Sequence, residues 1–385
     1  MKRNKAMTFV MLVVLAIFYI VDDLIRPTGE ANAAGGGNPQ AITAAQLQAY
    51  LSFIASDELE GRDTPSRGLN IAAKFIATHL ARWGLAPVGD NGTYFQHIAL
   101  QRLTIDPAQT IAEIDGQRFR FGEDFLAQPN SGTLSGPLVY VGHGWVIKSK
   151  NIDPYQGIVV KNKIMVHLAG LPEGISFREL TGRRGEDWES PSGYAQKNGA
   201  IGLIVIPNFN TLSRWQRNLQ NVVGRGMIRV EKFQEAESER LPEITVSPRM
   251  AEVLFEGEEE EANVIFKRSV AGEPVAPFDF SPKKSVRFTV VASSEPEMTQ
   301  NVVAVLEGSD RKLKNEYVAI GAHYDHVGIG RAVAGDSIYN GADDDGSGTV
   351  ATLAIAEAFA AGPRPKRSLL FVWHAGEERG LWGSK

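Results

Sequence analysis

Three pieces of the C-terminal stretch decide how this chain is read. They are Tyr317-Val318-Ala319-Ile320-Gly321-Ala322-His323-Tyr324-Asp325-His326, Asn340-Gly341-Ala342-Asp343-Asp344-Asp345-Gly346-Ser347-Gly348 and Leu369-Leu370-Phe371-Val372-Trp373-His374-Ala375-Gly376-Glu377-Glu378. In the first and third, an apolar run rich in β-branched or aromatic residues ends abruptly in His, Asp or Glu. The second is an acidic cluster between glycines, running directly into a helix-like segment. Carboxylates packed so densely beside buried strands repel one another and lose solvation. A divalent metal pair is the simplest thing that stabilises the arrangement, which points to two-metal hydrolytic chemistry.

The local patterns support that reading. Residues 318–320 and 369–373 read as strands buried on both faces, each delivering polar groups just past its C-terminal end. In open α/β sheets ligands gather at that rim. Residues 349–361 read as a helix with Val350, Leu353, Ala354, Ala356 and Phe359 as its apolar stripe, stopped by Gly362-Pro363. The helix dipole favours a preceding acid by ~0.3–1 kcal/mol, which explains one aspartate and not three. Each motif also has a bland reading. A lone His-x-Asp is usually a hydrogen-bonded pair, and Glu-Glu is common on surfaces. The Asp run could be a loop or a calcium site, but it lacks the spacing and distal Glu of an EF-hand. Jointly, at strand ends, they fit a metal site better. Ser347 lacks the Gly-x-Ser-x-Gly spacing of a nucleophile elbow.

Composition sets the outer bounds. A chain of 385 residues calls for two or three domains, and 43% hydrophobic with 22% charged residues is ordinary for globular cores. A net charge of −5 gives no electrostatic footprint for nucleic acid. Cysteine is absent, which excludes disulfides, thiolate ligands, a Cys nucleophile and a lipoprotein anchor. Any metal must therefore use His and carboxylate ligands. At the N-terminus Lys2, Arg3 and Lys5 precede an uncharged, mostly apolar run, residues 6–21, and Ala31-Asn32-Ala33 follows in a pattern a signal peptidase accepts. That run is shorter than the roughly 20 residues that span a bilayer. A cleaved signal peptide over residues 1–33 is expected, with an uncleaved signal anchor as the alternative. Either way the remainder is exported, periplasmic or secreted.

Leu47, Leu51 and Ile54 fall at helical spacing, and residues 56–63 interrupt them as a polar loop. A second helix places Leu69, Ala72, Ala73, Ile76, Ala77 and Leu80 on one face and ends near Trp83-Gly84. Strand candidates follow at 94–100 and 117–121. Residues 138–141, 164–168 and 201–206 are buried-strand runs between Gly- and Pro-rich turns, so 130–275 reads as a separate module. The acidic run 256–261 reads as a solvated loop. Pro274, Pro277 and Pro282 mark a boundary, after which 286–291 and 301–306 are expected to be antiparallel neighbours.

The motifs at His323-Tyr324-Asp325-His326, Gly341 to Gly348 and Glu377-Glu378-Arg379-Gly380-Leu381-Trp382-Gly383-Ser384 resemble the co-catalytic zinc aminopeptidases. That family includes bacterial leucyl aminopeptidases and, more distantly, glutamate carboxypeptidase II. The similarity runs over the chain after the signal: Ser56-Asp57-Glu58-Leu59-Glu60-Gly61-Arg62 resembles the family's N-terminal signature. The module at 130–275 looks like its inserted protease-associated domain. The resemblance implies an α/β fold, a three-layer α/β/α mixed-sheet zinc exopeptidase core with a β-rich insert. Residues 34–129 and 276–385 would form that core.

The resemblance also assigns roles. His323 would ligate one metal, with Asp325 orienting its ring; Asp343 would bridge two ions; Glu377 would be the general base and Glu378 a ligand. The Asp343–Asp344 peptide would be cis. His326 and His374 match no ligand of the family and read as structural or rim groups. The implied cofactors are two divalent ions, zinc by resemblance, although His and carboxylate ligands suit cobalt or manganese alike. The implied substrates are peptides with free N-termini, with no nucleic-acid partner and membrane association only through an uncleaved signal. The resemblance further implies an Asp and a His ligand downstream of Lys385, so the chain is expected to be a C-terminally truncated form with weak metal binding and little activity. Carboxypeptidase or glutaminyl cyclase chemistry on the same fold, or a non-catalytic receptor-like module, are the alternatives.

Overall fold

Thr43 starts the first helix of the structure, its hydroxyl accepting the Gln46 N–H at 3.2 Å, and the helix (α1) runs Ala44–Ile54. Ser66 caps the second (α2, Arg67–Arg82) through the Leu69 N–H in the same way. Along α2 the buried positions Leu69, Ala72, Ala73, Ile76, Ala77 and Leu80 recur at three- and four-residue steps, the stripe that a 3.6-residue period places on one face. Gly84 ends it at φ +74°, a conformation that a side chain resists. These are the two helices and the stop that periodicity predicts.

The structure, a computed structural model, describes residues 37–236, 240–273 and 275–385. The signal segment, residues 1–33, and the boundary proline Pro274 lie outside the described residues. No described helix is long and apolar enough to cross a membrane. The chain is mixed α/β and divides into two units, one combining residues up to Gln96 with Asn301–Lys385 and the other being His97–Gln300.

In the first unit the C-terminal part of a long strand (β1, Ala292–Leu306) pairs through Val302–Leu306 with a central strand running Ser368–His374. That pairing is antiparallel. The strand Tyr317–His323 (β2) pairs with Ser368–His374 in parallel, placing His323 opposite His374. Both strands therefore end at one rim. A small hairpin, Gly328–Val333 (β3) with Asp336–Tyr339 (β4), follows β2; Ser368–His374 is hereafter β5. Ile54, Leu69, Ile76, Leu80, Leu353, Phe371 and Trp373 are buried in one core with the third helix (α3, Ser347–Ala360). Each such large side chain contributes about 1.5–3 kcal/mol by leaving water.

Three expectations need correction. Residues 318–320 are not buried on both faces: among the described residues β2 pairs with β5 alone, and Tyr317 and Val318 stay 59% and 46% exposed. An edge strand with one neighbour leaves its flank to solvent. Residues 286–291 and 301–306 are not antiparallel neighbours either. Val286–Val290 pairs with Ile111–Ile114 and Gly132–Ser135, because Ala292–Leu306 continues extended with no turn to fold it back. The acidic run at 256–261 is only partly solvated. The Glu258 side chain is 4% exposed, accepts the Ser281 N–H at 2.7 Å and faces Lys284 at 3.9 Å.

The second unit holds a six-stranded sheet in which Leu138–Tyr140, Ile164–Leu168, Gly202–Ile206 and Glu243–Val246 run parallel, with Phe278–Asp279 and Phe125–Ala127 antiparallel at its edges. Ile164–Leu168, apolar but for His167, and Gly202–Ile206 are buried throughout, as strands covered on both faces require. A four-stranded antiparallel sheet orders Gln117–Arg120, Ile111–Ile114, Val286–Val290 and Gly132–Ser135. The unit is thus wider at both ends than the 130–275 reading.

Candidate metal centre

The shared rim of β2 and β5 gathers the acidic motifs. His323 closes β2, and its Nδ1 lies 3.2 Å from the Asp325 carbonyl and 3.6 Å from the Asp325 carboxylate. The carboxylate is beyond ordinary hydrogen-bond distance but close enough to act by charge. Asp325 is fully buried, and its Oδ1 also accepts the Glu377 N–H at 3.2 Å, tying the end of β5 to the end of β2. Its other oxygen, Oδ2, is buried without a hydrogen-bond partner. A buried, half-satisfied carboxylate is costly unless positive charge is near.

The three consecutive aspartates do three different things. Asp345 caps α3, its Oδ1 accepting the Gly348 N–H at 2.9 Å. Burial pushes the Asp345 carboxyl up from its ordinary range, against that hydrogen bond and the charge of His323. Asp344 reaches the imidazole, Oδ1 to His323 Nε2 being 3.1 Å. Asp343 is exposed, and its backbone carbonyl accepts from the Ser347 hydroxyl. Of the expected bridging residue Asp343 and its neighbour, it is Asp344 that the structure brings to the histidine. The cis peptide likewise lies at Asp344–Asp345 rather than Asp343–Asp344. The backbone leaves helical geometry at Asp344 (φ −112°, ψ 99°) and Asp345 (φ −123°, ψ 45°), which turns successive side chains in different directions.

On the other side, His326 Nδ1 lies 2.7 Å from Glu378 Oε1. His326, Asp344 and Glu378 each offer an atom to a cluster spanning no more than 4.8 Å. His326, expected as a structural or rim group, contacts a candidate ligand. Glu377 Oε2 stands 4.0 Å from His323 Nε2 with its side chain partly open to solvent. His374 turns away, its Nδ1 facing the Gly383 carbonyl at 3.2 Å.

The electrostatics are those of a centre short of positive charge. Burial opposes protonation of His323, but Asp325, Asp345 and Glu377 together outweigh it and push its pKa up to about 9. A divalent ion answers the same surplus of negative charge. Asp344 stands between His323 on one side and the His326–Glu378 pair on the other, so one carboxylate can serve two neighbouring ions. The donor set, imidazole and carboxylate without thiolate, fits zinc.

Residues 56–63, expected as a polar loop that carries the signature-like stretch 56–62, form a turn over Asp57–Arg62 in which Leu59, Gly61 and Arg62 are buried. Asp63 takes Arg379 in a bidentate pair, both oxygens 2.7 Å from Nη2, and the Thr64 hydroxyl accepts the Gly376 N–H at 3.1 Å.

Comparison with known proteins agrees with this segment's chemistry. Residues 301–385 match the model described as Peptidase family M28. A probable leucine aminopeptidase of Trichophyton verrucosum is 36% identical over 93 residues, 23% of this chain and 24% of that protein. Leucine aminopeptidase 2 of Trichophyton equinum is 33% identical over 113 residues, 29% of this chain and 20% of that protein. The matched stretch thus spans a quarter or less of the curated relatives. Among solved structures, an aminopeptidase from Aneurinibacillus sp. strain AM-1 aligns over 90% of this chain and 65% of its own, at 18% identity and a TM-score of 0.45. A zinc aminopeptidase from Bacillus subtilis aligns over 89% and 63%, at 16% identity and a TM-score of 0.41. The segment matched by the Peptidase family M28 model, residues 301–385, is the one that carries His323, Asp344, Glu377 and Glu378.

Proposed function

We propose that this protein is a zinc-dependent exopeptidase, an aminopeptidase that removes residues from the free N-termini of peptides, acting with two metal ions. The observation that carries the reading is the convergence of His323, Asp344 and Glu378 at one strand rim with Glu377 beside them. His323 and Asp344 would hold one ion, and Asp344 with Glu378 the other. A divalent pair held there would supply Lewis acidity, polarising the scissile carbonyl and bringing the pKa of a water towards ~7.

The chain's own residues account for the proton and the geometry. Glu377 takes the proton of the attacking water and delivers it to the leaving amine, a task that requires a carboxylate within reach of both. Its backbone is fixed by the Asp325 carboxylate, so its side chain leaves β5 from a defined point. Asp325 also keeps negative charge beside the His323 ring. His326 holds the Glu378 carboxylate by its Nδ1. We further read the protein as exported, and the inserted unit as a protease-associated domain.

The test is hydrolysis of unblocked aminoacyl chromogenic substrates by the intact protein, with and without a chelator. Turnover that the chelator abolishes and zinc restores is expected. Cleavage of N-blocked peptides with none of free N-termini rejects the aminopeptidase reading.

A further inference from the structure

Arg62 is fully buried although it follows a run of charged residues. All its hydrogen bonds go to backbone carbonyls. Nε donates to Tyr324 at 2.9 Å, Nη2 to Gly341 at 2.9 Å, and Nη1 to Asn340 at 2.7 Å and to Ile54. Its own carbonyl accepts the His326 N–H at 3.2 Å. Tyr324 lies between His323 and Asp325, and Asn340-Gly341 leads into the aspartates. One planar group therefore holds the two stretches that supply His323 and Asp344, at distances expected of good hydrogen bonds.

The chemistry of the side chain suits that task. Guanidinium presents five N–H donors in a fixed fork, whereas ammonium offers three on one nitrogen. The turn that delivers it is built for close approach. Gly61 has φ +68°, and a Cβ there would come within 2.4 Å of the Tyr339 carbonyl oxygen and 2.8 Å of that of Gly328. The same turn grips the chain beside the site again, Asp57 accepting from the Asn340 side-chain amide at 2.7 Å and Thr64 from the Gly376 N–H.

We infer that Arg62 is a positioning residue: by holding the carbonyls of Tyr324, Asn340 and Gly341 it sets the separation of His323 and Asp344, and so the metal affinity of the centre, without touching metal or substrate. This rests on the metal-centre reading above. A purely structural arginine would lower stability and leave the affinity of the folded molecules unchanged.

The experiment titrates the full chain and its variants with Co²⁺, reading the dissociation constant and the visible bands, beside the unfolding midpoint of the metal-free protein. R62M is expected to weaken Co²⁺ binding by roughly 10–100-fold, the range for residues that orient ligands, and to shift the bands. R62K should fall between R62M and the unaltered protein. R249M, which removes a contact to Asp124 in the other unit, should change neither readout. Unaltered affinity and bands in R62M overturn the inference even if the midpoint falls. Should R62M fail to fold, unaltered affinity and bands in R62K overturn it. If the unaltered protein takes up no Co²⁺, the metal-centre reading fails and this inference falls with it.

Discussion

Asp344 Oδ1 lies 3.1 Å from His323 Nε2, while the adjacent Asp343 is exposed and its backbone carbonyl accepts from the Ser347 hydroxyl. Adjacent residues of the same type thus have different roles, and substitution can tell them apart. D344N is expected to lower zinc affinity by more than the roughly 10–100-fold that an orienting residue costs, whereas D343N should stay within a few-fold of the unaltered protein. Zinc retained after dialysis against a graded chelator reads both. A larger loss in D343N would return the bridging role to that residue.

The proposed role of Glu377, 4.0 Å from His323 Nε2, is to move a proton rather than to hold an ion. E377Q keeps the side chain's size and removes its basicity. It should lower kcat by about 10²–10⁴-fold, the usual worth of a general base, with zinc content nearly unchanged. Turnover within tenfold of the unaltered enzyme at full zinc occupancy would remove Glu377 from that role.

His326 touches Glu378 at 2.7 Å, so its loss should act through that carboxylate. H326A is expected to weaken zinc binding by roughly 10–100-fold. Competition against a chromogenic chelator measures it, and unchanged affinity would return His326 to the structural or rim role.

The second unit should weaken in acid through His167. This residue is 8% exposed, with Nδ1 3.0 Å from the Leu168 carbonyl; burial, aided by nearby His143, pushes its pKa down to about 4. The unfolded chain titrates near 6.5 and binds the proton more readily. The neutral folded form is therefore favoured above pH 6.5, and this contribution is lost as pH falls through 4. The loss is on the order of 3 kcal/mol. H167L should flatten the fall in unfolding free energy between pH 6.5 and 4, as followed by urea titration. An equally steep fall in H167L would place the acid sensitivity elsewhere.

Helices α1, α2 and α3 were legible because a 3.6-residue stripe of apolar side chains and a cap or stop are local facts. The strand ends carrying His323 and Glu377 were legible for the same reason, since an apolar run that breaks into acids reads directly from the chain. The partners of 286–290 were not. Strand pairing is a choice among distant segments, and nearness in sequence favoured the wrong neighbour. The exposure of Tyr317 and Val318 was hidden likewise, because composition says how apolar a strand is and not whether it has a neighbour on each side.

What the sequence determined by itself is the chemistry available: imidazole and carboxylate at two strand ends, no thiol, and a helix start between them. What only the tertiary structure decided is which of those groups meet. Three identical aspartates differ in nothing but backbone torsion, so their division into cap, site group and bystander exists only once residues 342–346 leave helical geometry. Arg62 shows the same limit from the other side. A charged side chain in a charged run reads as solvated until Ile54, Tyr324, Asn340 and Gly341 close around it, because the carbonyls that make its burial tolerable come from segments far apart in the chain.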